Sequence, residues 1–270
     1  MEKYNHLDLF SGIGGFSLGL ESTGYFETIA FVEKNEFCQK VLKKNFPNIT
    51  IESEVRDVKG EKYKADVVTS GFPCQPFSFS GKRKGKNDDR YLWDETIRVI
   101  KECKCKWFIG ENVEGIINIS NGTILQQIQQ DLEKEGFQVQ CVVIPASGVG
   151  AWHQRKRVWI IANSNNKNVP NTNLWNVETR CERQRGICSK EKGQRATNIF
   201  TTICETLPNT KYKGTWWEIE SKLCGIPNEL SSKLDKDRNN RLKALGNSIV
   251  PLIARELGLA IMKAENDEKI

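Results

Sequence analysis

Through the first 162 residues, short β-branched or aromatic runs alternate with longer stretches whose apolar residues recur every three or four positions. Leu7-Asp8-Leu9-Phe10, Thr28 to Val32, Ala65 to Ser70, Trp107 to Gly110, Val139 to Ile144 and Val158 to Ala162 read as strands. Gly15 to Ser22, Asn35 to Asn45, Leu92 to Cys103 and Thr123 to Glu135 read as helices. This alternation predicts an α/β fold, a largely parallel sheet with helices on both faces. At Asn163 the pattern stops. An Asn-rich run and a basic, irregular stretch carrying Arg180, Arg183, Arg185, Lys190, Lys192 and Arg195 follow, with no sustained period until about Leu242. Apolar spacing returns from Ile249 to Leu257, a helix with Pro251 in its first turn that can close back onto the first domain.

Composition adds a polyanion bias and a reducing compartment. The formal charge is +6, with 27% charged and 38% hydrophobic residues, so a soluble, mildly basic protein is expected. Met1 to His6 has neither a basic start nor a following apolar stretch suited to a signal peptide or membrane span, which places the protein in the cytoplasm. Nine cysteines without an export signal predict reduced thiols. Cys103 and Cys105 stand two apart and the rest are scattered, so no metal site is expected.

One thiol has a different setting. Cys74 follows a predicted strand, sits between Pro73 and Pro76, and leads into the Gly- and Lys-rich run from Ser80 to Arg90. The prolines remove backbone donors and fix φ, which keeps the loop outside regular structure at the carboxyl edge of the sheet. That edge is where α/β folds place their chemistry. A second loop there follows the first strand: Phe10-Ser11-Gly12-Ile13-Gly14-Gly15 offers a tight turn and free helix amides to a ligand. Glu33, twenty-one positions after Gly12, can bind ribose hydroxyls. A dinucleotide oxidoreductase shares that layout, but its GxGxxG turn would need glycine where Ser17 stands. An adenosyl cofactor without a pyrophosphate fits better.

The motifs from Asp8 to Ser248, in their order, resemble those of the bacterial and phage DNA cytosine-5 methyltransferases. Asp8 to Gly15 resembles the turn that holds the methionine moiety of S-adenosylmethionine, with Phe10, Ser11, Gly12, Gly14 and Gly15 as contacts. Glu33 resembles the ribose acid, and Asp57 with Val58 the adenine contacts. Gly71 to Ser78 resembles the nucleophile loop with Pro73 beside Cys74, and Glu111-Asn112-Val113 resembles the ENV motif. His153 to Arg157 resembles the QxRxR segment, and Gly246-Asn247-Ser248 the segment before the last helix, whose Asn247 and Ser248 also face the cofactor. His153, Lys34 and Tyr91 depart from the family pattern; Lys34 stands where an apolar or aromatic residue usually packs on adenine, so a weaker or rearranged contact is expected there.

The resemblance implies a Rossmann-like class I methyltransferase fold. Residues 1–162 would form the catalytic and cofactor-binding domain, 163–240 a small target-recognition domain, and 241–270 a C-terminal helix returning to the first. It implies S-adenosylmethionine as donor, S-adenosylhomocysteine as product, no metal, duplex DNA as substrate, a monomer, and a cognate restriction endonuclease acting separately. Carbon 5 of cytosine is a poor nucleophile until a group adds at carbon 6, which points to Cys74 as the attacking thiolate. Glu111 is the acid for ring nitrogen 3; of Arg155 and Arg157, one would bond the cytosine carbonyl and the other order the site. Two other readings stay open: methyl transfer to cytosine in tRNA, and a catalytically silent nucleic-acid-binding protein on the same fold. The second has no use for Cys74, Glu111 and Arg155 together.

Overall fold

The strands in the middle of the sheet are its most buried, and they carry polar as well as apolar side chains. The computed structural model describes residues 2–73, 92–151, 153–164 and 237–267. Seven strands, β1 (Tyr4–Leu9), β2 (Phe26–Val32), β3 (Thr50–Glu52), β4 (Val67–Ser70), β5 (Trp107–Val113), β6 (Gln138–Pro145) and β7 (Lys156–Asn163), lie in the order β3-β2-β1-β4-β5-β7-β6. β3 to β5 across the sheet are parallel; β7 alone runs against both its neighbours, β5 and β6. β4, with all four side chains buried, is a run that only a doubly covered sheet can hold.

The α-helices among the described residues are α1 (Gly15–Glu21), α2 (Glu36–Asn45), α3 (Trp93–Cys103), α4 (Thr123–Lys134), α5 (Arg238–Asn247) and α6 (Pro251–Asp267), with short single turns between elements. One core layer joins Leu7, Leu9, Val68 and Phe108 of the sheet to Trp93, Val99 and Ile100 of α3 and Ile128 and Leu132 of α4. The other joins Val67, Ile109 and Trp159 to Phe16 and Leu20 of α1 and to Ile253, Leu257 and Ile261 of α6. α6 packs against α1 on this face of the sheet, and Gly19 sets how closely. A Cβ there would stand 2.2 Å from the Pro251 carbonyl and 2.7 Å from the Ala254 Cβ. By composition alone the stretch Arg238–Asn266 is long and apolar enough to cross a membrane. In the fold it is split between α5 and α6, and half of its most apolar window is buried inside the protein.

Three elements differ from expectation. β3, three residues long and only partly buried, has no counterpart among the predicted strands. β5 extends three residues beyond Gly110, so Glu111 lies inside the strand rather than just after it; antiparallel pairing with β7 carries the ladder from Trp107 opposite Asn163 to Val113 opposite Arg157. α5 had no apolar period to announce it: Ala244 is buried, while Leu242 and Leu245 are exposed. The predicted recognition module lies, from 165 to 236, outside the described residues.

Candidate active site

Four loops and one arginine pair meet at the carboxyl edge of the parallel strands. β1 leaves through a turn in which Phe10, Gly12 and Gly14 take φ of +53°, +55° and +84°, three left-handed residues in five. Ser11 stitches this turn to β2: its hydroxyl donates to the Asp8 carbonyl at 2.6 Å and accepts the Val32 N–H at 3.1 Å. Around Gly12 a Cβ would meet nothing within 4 Å, whereas one on Gly15 would stand 2.8 Å from Ile249 Cγ1. The turn is thus packed on the α6 side and open at Gly12, where a ligand backbone-close enough to need glycine can sit. Glu33 faces the same turn. Its Oε2 accepts the Gly12 N–H at 2.7 Å and its Oε1 the Asn35 N–H at 2.7 Å. Burial raises its pKa while these amides work against the rise. An open cleft of about 970 Å³ lies beside it, lined by Lys34, Phe37 and Lys40, with Asp237 and Asn240 among the remaining residues.

β3 brings the next pair alongside. The Glu33 N–H donates to the Glu52 carbonyl at 2.9 Å, continuing the β2–β3 ladder, and the single turn Val55–Asp57 follows. Asp57 is exposed and Val58 is buried. Lys34 turns toward Glu54, Nζ to Oε2 3.3 Å, so the residue that departs from the family pattern is engaged in an ion pair.

On the other side of β1, β4 ends at Ser70 and the chain continues through Gly71, Phe72 and Pro73; Cys74 and Tyr91 lie outside the described residues. The stem of this loop is held. The Phe72 ring is 5.0 Å from Trp93, and the Asn112 amide donates to the Phe72 carbonyl at 3.0 Å. Glu111, 8% exposed, stands next to Asn112 and pairs with Arg157, Nε to Oε1 3.0 Å. Burial raises the Glu111 pKa; the charges of Arg157 and Arg155 pull it down without cancelling the rise. Such a carboxyl group can keep or yield a proton.

The two arginines point to different tasks. Arg155, at φ +22°, donates from Nη2 to the Gly246 carbonyl at 2.8 Å and the Ser248 carbonyl at 2.7 Å, tying the α5–α6 link to the mouth of the site. Its pKa is lowered by burial and by Arg157, against the pull of Glu111. Asn247 ends α5 exposed, and the Ser248 hydroxyl donates to the Ile249 carbonyl at 3.1 Å. The described thiols offer nothing comparable to the predicted nucleophile: Cys38, Cys103, Cys105 and Cys141 are free, and burial pushes Cys38 up to about 11 and Cys103 and Cys141 to about 12. Buried thiols of that kind are inert.

Beneath the glycine turn lies a polar cell that was not singled out from the sequence. His6 and Asp8, both fully buried, face α1 from alternate positions of β1. The Thr69 hydroxyl donates to Asp8 Oδ1 at 2.8 Å and the Ser17 hydroxyl to Asp8 Oδ2 at 3.2 Å. With the Thr69 proton committed, its oxygen accepts from His6 Nε2 at 2.8 Å, and Thr28 serves His6 Nδ1 at 3.2 Å. Burial lowers the His6 pKa to about 3; burial first, with a small push from Glu33, raises Asp8 to about 7 against the two hydroxyl bonds. Polar residues spaced by two in an otherwise apolar central strand were the available signal. Arg98 of α3 was also passed over; its signal is the Glu95-Arg98-Glu102 spacing along one helix face.

Residues 4–217 match the C-5 cytosine-specific DNA methylase family. The chain is 36% identical over 170 residues to the type II methyltransferase M.Bsp6I of Bacillus sp. strain RFL6, covering 62% of this chain and 54% of that protein. Against M.HhaI of Haemophilus parahaemolyticus it is 33% identical over 167 residues, covering 61% and 50%. It therefore spans about half the length of these curated relatives. Among solved structures, a mutant of Spodoptera frugiperda DNMT2 matches with TM-score 0.55 and 27% identity over 62% of this chain and 52% of that one. The Dnmt2 methyltransferase of S. pombe shares the fold, with TM-score 0.59 at 14% identity over 97% and 99%. The glycine turn, the Glu33 acid and the Glu111–Arg157 edge thus fall within a matched span that covers most of the sequence, and the chain belongs to the C-5 cytosine-specific DNA methylase family.

Proposed function

We propose that this protein methylates carbon 5 of cytosine in duplex DNA at a specific sequence, with S-adenosylmethionine as donor and in a restriction-modification or phage self-protection setting. The observation that carries the reading is Glu111: a buried carboxyl group of raised pKa, braced by Arg157, one residue from the amide that holds the stem of the Cys74 loop.

The residues at the glycine turn fit the donor. Gly12 leaves open the space a Cβ would fill, Glu33 is offered to a ribose, and the turn after β3, with Asp57 exposed and Val58 buried beneath it, is offered to the adenine. Phe10, Ser11, Gly14, Gly15, Pro73, Asn247 and Ser248 complete the proposed contacts. When bound, the sulfonium supplies an electrophilic methyl group at the sheet edge. Cys74 as thiolate adds to carbon 6 of the cytosine, and the ring electrons shift toward nitrogen 3, where Glu111 delivers a proton. Carbon 5 is then nucleophilic enough to take the methyl group. Transfer of the carbon 5 proton to water, expulsion of the Cys74 thiolate and return of the nitrogen 3 proton to Glu111 restore the aromatic ring and the starting enzyme, with S-adenosylhomocysteine as the other product. Arg157 keeps Glu111 oriented, and Arg155 holds the Gly246 to Ser248 link against the site. The base must leave the duplex first, because carbon 6 is out of reach inside the stack. Residues 163–240 are proposed to read the DNA and 241–270 to close the catalytic domain; a separate endonuclease and a monomeric, cytoplasmic enzyme belong to the same reading.

The test is incubation with labelled S-adenosylmethionine, comparing duplex DNA with tRNA and mapping modified cytosines by conversion sequencing. Label in DNA that disappears in Cys74→Ala, with S-adenosylhomocysteine binding retained, is the expected result. Label in tRNA alone, or an active Cys74→Ala, would overturn it.

A further inference from the structure

The guanidinium of Arg98 is committed more fully than helix stability requires. It carries five N–H donors, and all five find acceptors. Nε donates to Glu95 at 2.7 Å and Nη1 to Glu102 at 2.8 Å, the ordinary ion pairs of one helix face. The remaining three leave the helix. Nη1 donates to the Val58 carbonyl at 2.8 Å, and Nη2 to the carbonyls of Val55 at 3.0 Å and Arg56 at 3.4 Å. Those carbonyls all belong to the turn that carries Asp57. Exposed helix ion pairs contribute little by themselves. A planar fork spread over three carbonyls of one short turn fixes the backbone on both sides of Asp57.

The rest of α3 acts on the next residues. The second oxygen of Glu102 accepts the Gly60 N–H at 2.7 Å, and the Cys103 thiol donates to the Gly60 carbonyl at 3.4 Å. A Cβ on Gly60 would stand 2.8 Å from the Val99 carbonyl, so the chain is drawn against the helix backbone there. Val58 is buried in the core while Asp57 remains exposed. The turn is thus gripped from below, with the Asp57 carboxylate left as its presented group.

We propose that Arg98 is a positioning residue that holds the Val55 to Val58 turn so that Asp57 meets the adenine amino group of the methyl donor, and that it thereby sets selectivity for the nucleobase. The inference rests on the reading of Asp57 as an adenine contact. A lysine cannot replace it, since one ammonium cannot span three carbonyls and two carboxylates.

The experiment is equilibrium binding of two product analogues to the full chain: S-adenosylhomocysteine and S-inosylhomocysteine, which bears a carbonyl oxygen where adenine bears its amino group. Wild type should prefer the adenosyl compound by roughly tenfold or more, the scale of a hydrogen bond to a charged group. In Arg98→Met that ratio collapses toward one, with Arg98→Lys between, and in turnover the loss falls on KM for S-adenosylmethionine rather than on kcat. Melting temperature is followed in parallel, and the lysine variant serves if the methionine variant does not fold. If both ligands weaken equally, or the melting temperature falls while the ratio holds, Arg98 is only a brace and the proposal fails. If Asp57→Asn abolishes the preference but the Arg98 variants keep it, the proposal fails while the Asp57 reading stands. A wild type that does not discriminate overturns both.

Discussion

Asp8 and Glu111 are both buried carboxyl groups near the carboxyl end of a parallel strand, and burial raises both. Their neighbours separate them. Asp8 accepts from the hydroxyls of Thr69 and Ser17, which have no charge to offer, and it sits among β1, β4 and α1. Glu111 has a guanidinium at 3.0 Å and lies where β5 and β7 reach the sheet edge, one residue from the stem of the Cys74 loop. Hydroxyls and cations both favour the ionised form, but only the guanidinium adds a full opposite charge beside the acid. The first arrangement holds a fold together; the second can be set for proton transfer.

The sharpest way to break this comparison is Glu111→Gln. It should cut methyl transfer by ~10²–10⁴-fold, the range for losing a positioned acid, while S-adenosylhomocysteine affinity and melting temperature stay near wild type. Rates within a factor of a few of wild type would remove Glu111 from the chemistry. Thr69→Val is the counterpart at Asp8. It strips a donor from Asp8 and an acceptor from His6 at once, and should cost about 1–3 kcal/mol in denaturant unfolding with transfer by the folded fraction little changed. A large catalytic loss at full stability would mean that the polar cell belongs to the active site.

Arg157→Met asks what the cation does. Glu111 must be protonated to donate, so the rate falls as pH rises through its pKa. Arg157 lowers that pKa, so its removal should move the alkaline limb of the pH–rate profile to higher pH, even as the overall rate drops. A limb that stays put or moves toward acid would show that another group titrates. The smallest effect is expected from His6→Leu. The folded pKa of His6 is about 3, below its unfolded value near 6.5, so the unfolded chain binds more protons between them and this residue's contribution to stability rises with pH across that window. For Asp8 the folded value of about 7 lies above the unfolded one, and stability falls as pH rises from about 4 to 7. The two oppose each other in wild type. Removing His6 should leave a profile that declines from pH 4.5 to 6.5 relative to wild type in urea titrations; parallel profiles would show that His6 does not carry the depressed pKa.

Much of the site could be read along the chain because α/β architecture turns strand ends into neighbours. Gly12, Glu33, Pro73 and Glu111 each follow or end an apolar run, and a parallel sheet sends all such ends to one edge. What escaped reading depends on pairing. The extra length of β5 comes from β7, whose antiparallel register sets Arg157 opposite Val113, two positions along from Glu111. α5 is a helix with one buried side chain, so no apolar stripe marks it. Arg98 looked like one member of an ordinary i, i+3, i+4 charge set, and its three carbonyl partners lie about forty residues earlier in the chain.

By itself the sequence determined the sheet, the glycine turn, the acid at the end of β2 and the ordered motifs that name the family, since strand periodicity and local turn chemistry act over a few residues. Only the tertiary structure decided which charges meet: Glu111 with Arg157, Arg155 with the carbonyls of Gly246 and Ser248, Arg98 with the Asp57 turn, and Asp8 with two hydroxyls instead of a cation. Those partnerships join residues from separate elements, and burial together with the nearest charge, rather than residue type, sets what each carboxyl group can do.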